Sequence, residues 1–162
     1  MTLWTLLIFV LVALPSSVCD VIKMRIPLYL VLAGILAYIL FYAFYFDFQF
    51  NYFLKQVLIS LLGTGFVLIT ARLLTDGGLG WGDVFFGLFC AFFIGYPLFC
   101  FIALASSAVL GLLFYLAFSL TKKIKNGGAL IIRHSFAVPY IPFMAAGTLV
   151  TYFLLWINWL NF

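Results

Sequence analysis

Five uncharged runs, over residues 1–19, 27–46, 56–71, 84–121 and 135–162, take up most of this chain. Only 7% of the residues are charged, against about a quarter in soluble domains, and 68% are hydrophobic. Such a chain cannot surround a core with a polar shell, so its solvent is lipid. A helix needs roughly 20 apolar residues to cross about 30 Å of hydrocarbon. The 84–121 run is too long for one crossing, and Gly95-Tyr96-Pro97 near its middle is a turn signal. The split predicts an all-α, polytopic membrane protein with six transmembrane helices, roughly over 2–19, 27–46, 54–73, 83–96, 98–120 and 138–160. Residues 1–162 are expected to form one membrane-embedded domain. No Lys or Arg precedes the first apolar run, which is also long enough to span, so we expect it to be retained rather than cleaved as a signal peptide.

Six alternating crossings put Lys23, Arg25, Arg72, Lys122, Lys123, Lys125 and Arg133 on one side and only Lys55 on the other. Basic loops stay in the cytoplasm, so the first set is expected to be cytoplasmic and both termini outside. The net charge of +4 reads as a topology signal and a contact with anionic lipid headgroups. Cations scattered over short loops make no nucleic-acid surface, and none is expected. Cys19, Cys90 and Cys100 form no CxxC pair and read as small packing residues. Trp156 and Trp159 read as anchors at the outer interface.

The informative residues are acidic. Glu is absent, and the four Asp are Asp20, Asp47, Asp76 and Asp83. Asp47 falls in an outer loop and reads as a solvated turn, and Asp76 before Gly77-Gly78 reads as another turn residue. Asp20 ends the first helix. Asp83 opens the fourth, after a loop with four glycines at 77, 78, 80 and 82. If the fourth helix ends near Gly95 at the outer surface, Asp83 lies about 20 Å inward, short of the 30 Å hydrocarbon thickness. An ionisable group at that depth costs several kcal/mol unless it faces a polar cavity, which makes it a functional candidate. Irregular backbone at membrane depth must line a cavity or be covered by protein, and glycine permits the close approach.

Two carboxylates on separate helices, facing one wet pocket, suit acid–base hydrolysis of a peptide bond. Placed together they share a proton; one activates water and the other hydrogen-bonds the carbonyl oxygen. That chemistry needs no metal, cofactor or covalent intermediate. His134 is the only histidine, which leaves no multi-His metal site, and no G-x-S-x-G nucleophile motif occurs. Plainer roles stay open at this point. Asp20 could pair with Lys23 and Arg25 at the interface, Asp83 could cap the fourth helix, Arg72 could mark a membrane boundary, and His134 could be an exposed loop residue. The glycine loop, through Gly80 and Gly82, is expected to hold an extended substrate segment. Pro139 and Pro142, lacking N–H donors, are expected to leave carbonyls free to face the same pocket.

Three segments, in order, resemble the type IV prepilin peptidase family of GxGD intramembrane aspartic proteases. Gly80-Trp81-Gly82-Asp83 matches the GxGD element, and Asp20 with Ile26-Pro27 downstream resembles the family's first aspartate and its Ile/Leu-Pro. Val138-Pro139-Tyr140-Ile141-Pro142-Phe143-Met144-Ala145-Ala146-Gly147 is similar to the last-helix signature of the form IPFGPFLALG. The resemblance implies Asp20 and Asp83 as the catalytic pair. It also implies a prepilin-like substrate with a short basic leader, Gly at the cut and an apolar helix after it, cleaved at the cytoplasmic face of the cell membrane. Phe85 stands where members commonly have Lys, Leu28 where Asn often follows Ile-Pro, and Ile141 where the last signature has a small residue. Larger members carry a paired-CxxC cytoplasmic domain and methylate the new N-terminus; no such motif occurs in these residues, and no methyltransferase activity is expected. The rival readings are a GxGD protease of remnant signal peptides, and a non-enzymatic scaffold or transporter.

Overall fold

The computed structural model of the protein describes residues 3–45, 50–75, 79–125 and 139–160. Those residues form six helices and no strand: α1 (Leu3–Lys23), α2 (Leu28–Tyr45), α3 (Phe50–Leu74), α4 (Trp81–Ile94), α5 (Pro97–Lys125) and α6 (Ile141–Leu160). Each falls on one of the stretches expected from hydropathy. By length and composition, three are able to cross a membrane: Trp4–Lys23, Leu54–Leu74 and Pro97–Phe118. The apolar parts of the others are shorter, at Leu28–Phe41, Trp81–Ile94 and Ile141–Ile157. Asp47, Asp76, Arg133, His134 and Val138 lie outside the described residues.

The boundaries follow local chemistry. Gly95 adopts the left-handed conformation (φ 71°) and its N–H returns to the Ala91 carbonyl at 2.9 Å, a C-cap that needs no Cβ to be accommodated. Pro97 then opens α5, where its missing N–H costs nothing. The last helix begins at Ile141, three residues later than hydropathy suggested, with Pro142 in its first turn. The first helix runs to Lys23, one turn beyond its uncharged run, so Asp20 sits inside its last turn rather than after it.

Beyond Asp83 in its first turn, helix α4 is apolar on every side and packs against α2, α3, α5 and α6, which makes it the centre of the bundle. Phe86, Phe89, Phe93 and Ile94 are fully buried. Phe9 of α1 stacks on Phe89 and Phe93 with centroids 5.6 and 4.4 Å apart, and Phe93 in turn stacks on Tyr152 of α6 at 5.2 Å. The Tyr38 hydroxyl of α2 donates to the Phe93 carbonyl at 3.1 Å. Helices α5 and α6 form the most extensive pairing. They approach through Gly147, where an added Cβ would come within 2.7 Å of the Ala103 carbonyl and 2.9 Å of the Ser107 nitrogen. Thr148 and Thr151 donate to carbonyls of their own helix at 2.7 and 2.8 Å, so these buried hydroxyls carry no orphaned donor.

Candidate active site

One end of the bundle gathers the C-termini of α1 and α3 with the N-termini of α2, α4 and α6. All six residues expected to form a site lie there: Asp20, Asp83, Gly80, Gly82, Pro139 and Pro142. Asp20 is 6% exposed, while Lys23 and Arg25 beyond it are exposed. Its carboxylate turns inward and accepts a hydrogen bond from the Ile141 N–H at 3.1 Å, with the Tyr140 backbone contributing to the same contact. An interfacial charge paired with Lys23 and Arg25 would not look like this. The first N–H groups of a helix have no partner within it, and the aligned peptide dipoles favour an anion there.

Asp83 occupies the third position of α4 and is partly exposed. The N-cap is Gly80, in an extended conformation, not Asp83. Gly80 has no side chain with which to cap, so only the return half of a capping box forms: Asp83 Oδ2 accepts from the Gly80 N–H at 3.0 Å. Asp20 lies close enough to Asp83 for its charge to be felt there. The bonds from Ile141 and Gly80 both end on an Oδ2, and a carboxylate can accept about four hydrogen bonds, so both keep capacity for water or substrate.

The two motif glycines have separate structural reasons. A Cβ on Gly82 would lie 2.5 Å from Ile26 Cδ1 and 3.2 Å from Ile26 Cβ, so the α1–α2 connection packs directly on the start of α4. A Cβ on Gly80 would lie 3.0 Å from Asp83 Oδ2. The expectation about free carbonyls beside the prolines does not hold at Tyr140, whose carbonyl accepts from both Phe143 and Met144 at 3.1 Å. What this segment offers instead is a donor, the Ile141 N–H. Phe85, in the position where Lys was noted as common, is 40% exposed and tilts against Trp81 with centroids 6.4 Å apart.

Sequence reasoning quoted Ile26 and Ile141 only as parts of the resembling segments and read Arg72 as a boundary marker, and it gave none of the three a part in the site. Pro142 does mark a helix start, so the free N–H of Ile141 was readable. The arrival of Asp20 there, 121 residues away in sequence, was not. Arg72 is half-buried rather than spread on a membrane surface; its guanidinium donates to the Leu79 carbonyl and lies 4.6 Å from the Trp81 ring centroid.

No curated protein and no solved structure matches the chain. A family model described as type IV leader peptidase family matches residues 5–116, a segment that contains Asp20, Asp83, the glycine element, nearly all of α1 and the whole of α2, α3 and α4. The apolar helices and this match together mark a membrane protein with a peptidase function. The chain belongs to the type IV leader peptidase family.

Proposed function

We propose that this chain is a six-span aspartic endopeptidase that removes the short basic leader from prepilin-like proteins at the cytoplasmic face of the cell membrane, with Asp20 and Asp83 as its catalytic pair. The observation that carries this reading is the placing of two carboxylates, from α1 and α4, at one end of the bundle, each held by a backbone N–H at a helix start. Family membership supports it.

In this mechanism the pair holds one proton. The ionised carboxylate takes a proton from water as the water oxygen bonds to the scissile carbonyl carbon. The protonated one hydrogen-bonds the carbonyl oxygen and stabilises the charge developing there. Collapse breaks the C–N bond, a carboxyl proton passes to the leaving nitrogen, and the pair returns to its starting protonation. Gly80 and Gly82 hold the substrate in extended form, since a helical substrate keeps its carbonyls engaged. Pro139 and Pro142 border the same site through the start of α6.

Depth and charge agree with a site inside the cytoplasmic leaflet. Phe143 of α6 packs on Phe114 of α5 with centroids 5.2 Å apart, and a Cβ on Gly111 would meet the Tyr140 ring at 3.6 Å. The start of α6, and Asp20 with it, is therefore level with residues 111–114 of α5, and the uncharged run of that segment continues to Thr121. Seven to ten residues of helix are about 10–15 Å. Lys23, Arg25 and Arg72 lie at this same end of the bundle and Lys55 near the other, as the cytoplasmic assignment requires.

The test uses the purified protein in liposomes. The substrate is a test protein with a basic leader, Gly at the junction and an apolar helix after it. We expect a single cut after that Gly, and a product whose mass shows an unmodified N-terminus, because hydrolysis alone is proposed. No cleavage, or cleavage of remnant signal peptides in preference, would overturn the substrate assignment.

A further inference from the structure

We infer that Arg72 is a positioning residue for Asp83, acting through the single peptide plane that joins Leu79 to Gly80. The inference rests on the proposed role of Asp83. Two observations converge on that plane: the Arg72 guanidinium donates to the Leu79 carbonyl, and the Gly80 N–H donates to Asp83 Oδ2 at 3.0 Å. The carbonyl of Leu79 and the N–H of Gly80 belong to one rigid peptide unit and point in opposite directions. A cation holding the oxygen therefore fixes the direction in which the N–H is aimed. It also polarises the peptide, so that the bond to the carboxylate is strengthened along the chain of hydrogen bonds.

The same guanidinium is itself held in place. It lies 4.6 Å from the Trp81 ring centroid, within the range of a cation–π contact, so Arg72 grips the chain on both sides of Gly80. Gly80 needs such support. It carries no side chain, adopts an extended conformation, and joins the glycine loop to α4. Without a hold on the preceding carbonyl, the peptide plane is free to rotate, and the N–H that orients Asp83 rotates with it. Arg72 is placed for this by α3, whose last turn ends beside the start of α4.

The test measures steady-state cleavage of the leader-bearing test protein by the liposome-reconstituted protein, with thermal stability recorded for each variant. Arg72→Ala should lower kcat about tenfold or more at unchanged KM, because the substrate does not touch Arg72. Arg72→Lys keeps a cation able to reach the carbonyl and should recover most of that loss. Trp81→Leu removes the ring face while leaving the Leu79 bond, and should lower kcat two- to fivefold at unchanged KM. It serves as the deciding variant should Arg72→Ala fail to fold. Unchanged kcat in Arg72→Ala, or in Trp81→Leu where that variant decides, overturns the inference. So does a loss carried by KM, which would make Arg72 a substrate contact. Failure of the underlying reading looks different: Asp83→Asn would then cleave normally, whatever the Arg72 variants do.

Discussion

Asp20→Asn and Asp83→Asn should each lower leader cleavage by about 10²–10⁴-fold, the range that positioned acid–base groups contribute. The amide keeps the size and one acceptor oxygen of the carboxylate. The Ile141 N–H and the Gly80 N–H would therefore still find an acceptor, and neither helix start would be left with a newly orphaned donor. What the amide cannot do is accept and return a proton. Both variants should accordingly insert, fold and unfold near the wild-type temperature, so that loss of cleavage separates from loss of structure. Asp47→Asn should retain activity, and Asp76→Asn should lose less than either catalytic change. Full activity in Asp83→Asn together with a dead Asp76→Asn would mean that the wrong aspartate has been assigned.

Gly82→Val should impair cleavage by a different route, at about tenfold or more. A Cβ at this position would approach Ile26 Cδ1 at 2.5 Å, Cγ1 at 2.9 Å and Cβ at 3.2 Å. The far end of the isoleucine can swing aside, but its Cβ cannot without moving the α1–α2 connection. Overpacking of this kind costs about 1–3 kcal/mol, and here the strain falls one residue before Asp83. The second site of relief is specific: Ile26→Ala in the Gly82→Val background should recover much of the lost rate, a coupling expected of residues in contact. Gly80→Val should act more directly, because its Cβ would stand 3.0 Å from Asp83 Oδ2 and push the carboxylate off the Gly80 N–H. Wild-type kinetics in both valine variants would show that the glycines serve only as a turn.

Hydropathy reached the helices because apolar runs and their breaks are local properties. The turn at Gly95 was readable for the same reason, since a glycine followed two residues later by proline ends one helix and opens the next. The burial of α4 also follows from its sequence, which has no polar face to present. Convergence at the site is another matter. That Ile26 would press on Gly82, that Arg72 would reach back to Leu79, and that Ile141 would meet Asp20 all depend on how far each helix slides along its neighbours. Sliding is set by ring stacking such as Phe9 on Phe93 and by close approach at Gly147, neither of which leaves a periodic trace. The donor beside the proline segment was overlooked for a related reason. Counting missing donors at Pro139 and Pro142 drew attention to carbonyls, whereas the helix start they mark supplies the N–H that Asp20 uses.

The hydrogen bond from Ile141 to Asp20 joins the first helix to the last, and synthesis makes those two in order. When α1 leaves the ribosome and enters the membrane, its buried carboxylate has no donor, and it must wait until α6 has been made and inserted. On the catalytic assignment proposed above, a nascent chain that already holds both aspartates still lacks the donor that holds one of them. Cleavage should then begin only once α6 is in place, and a half-made copy should leave its neighbours uncut.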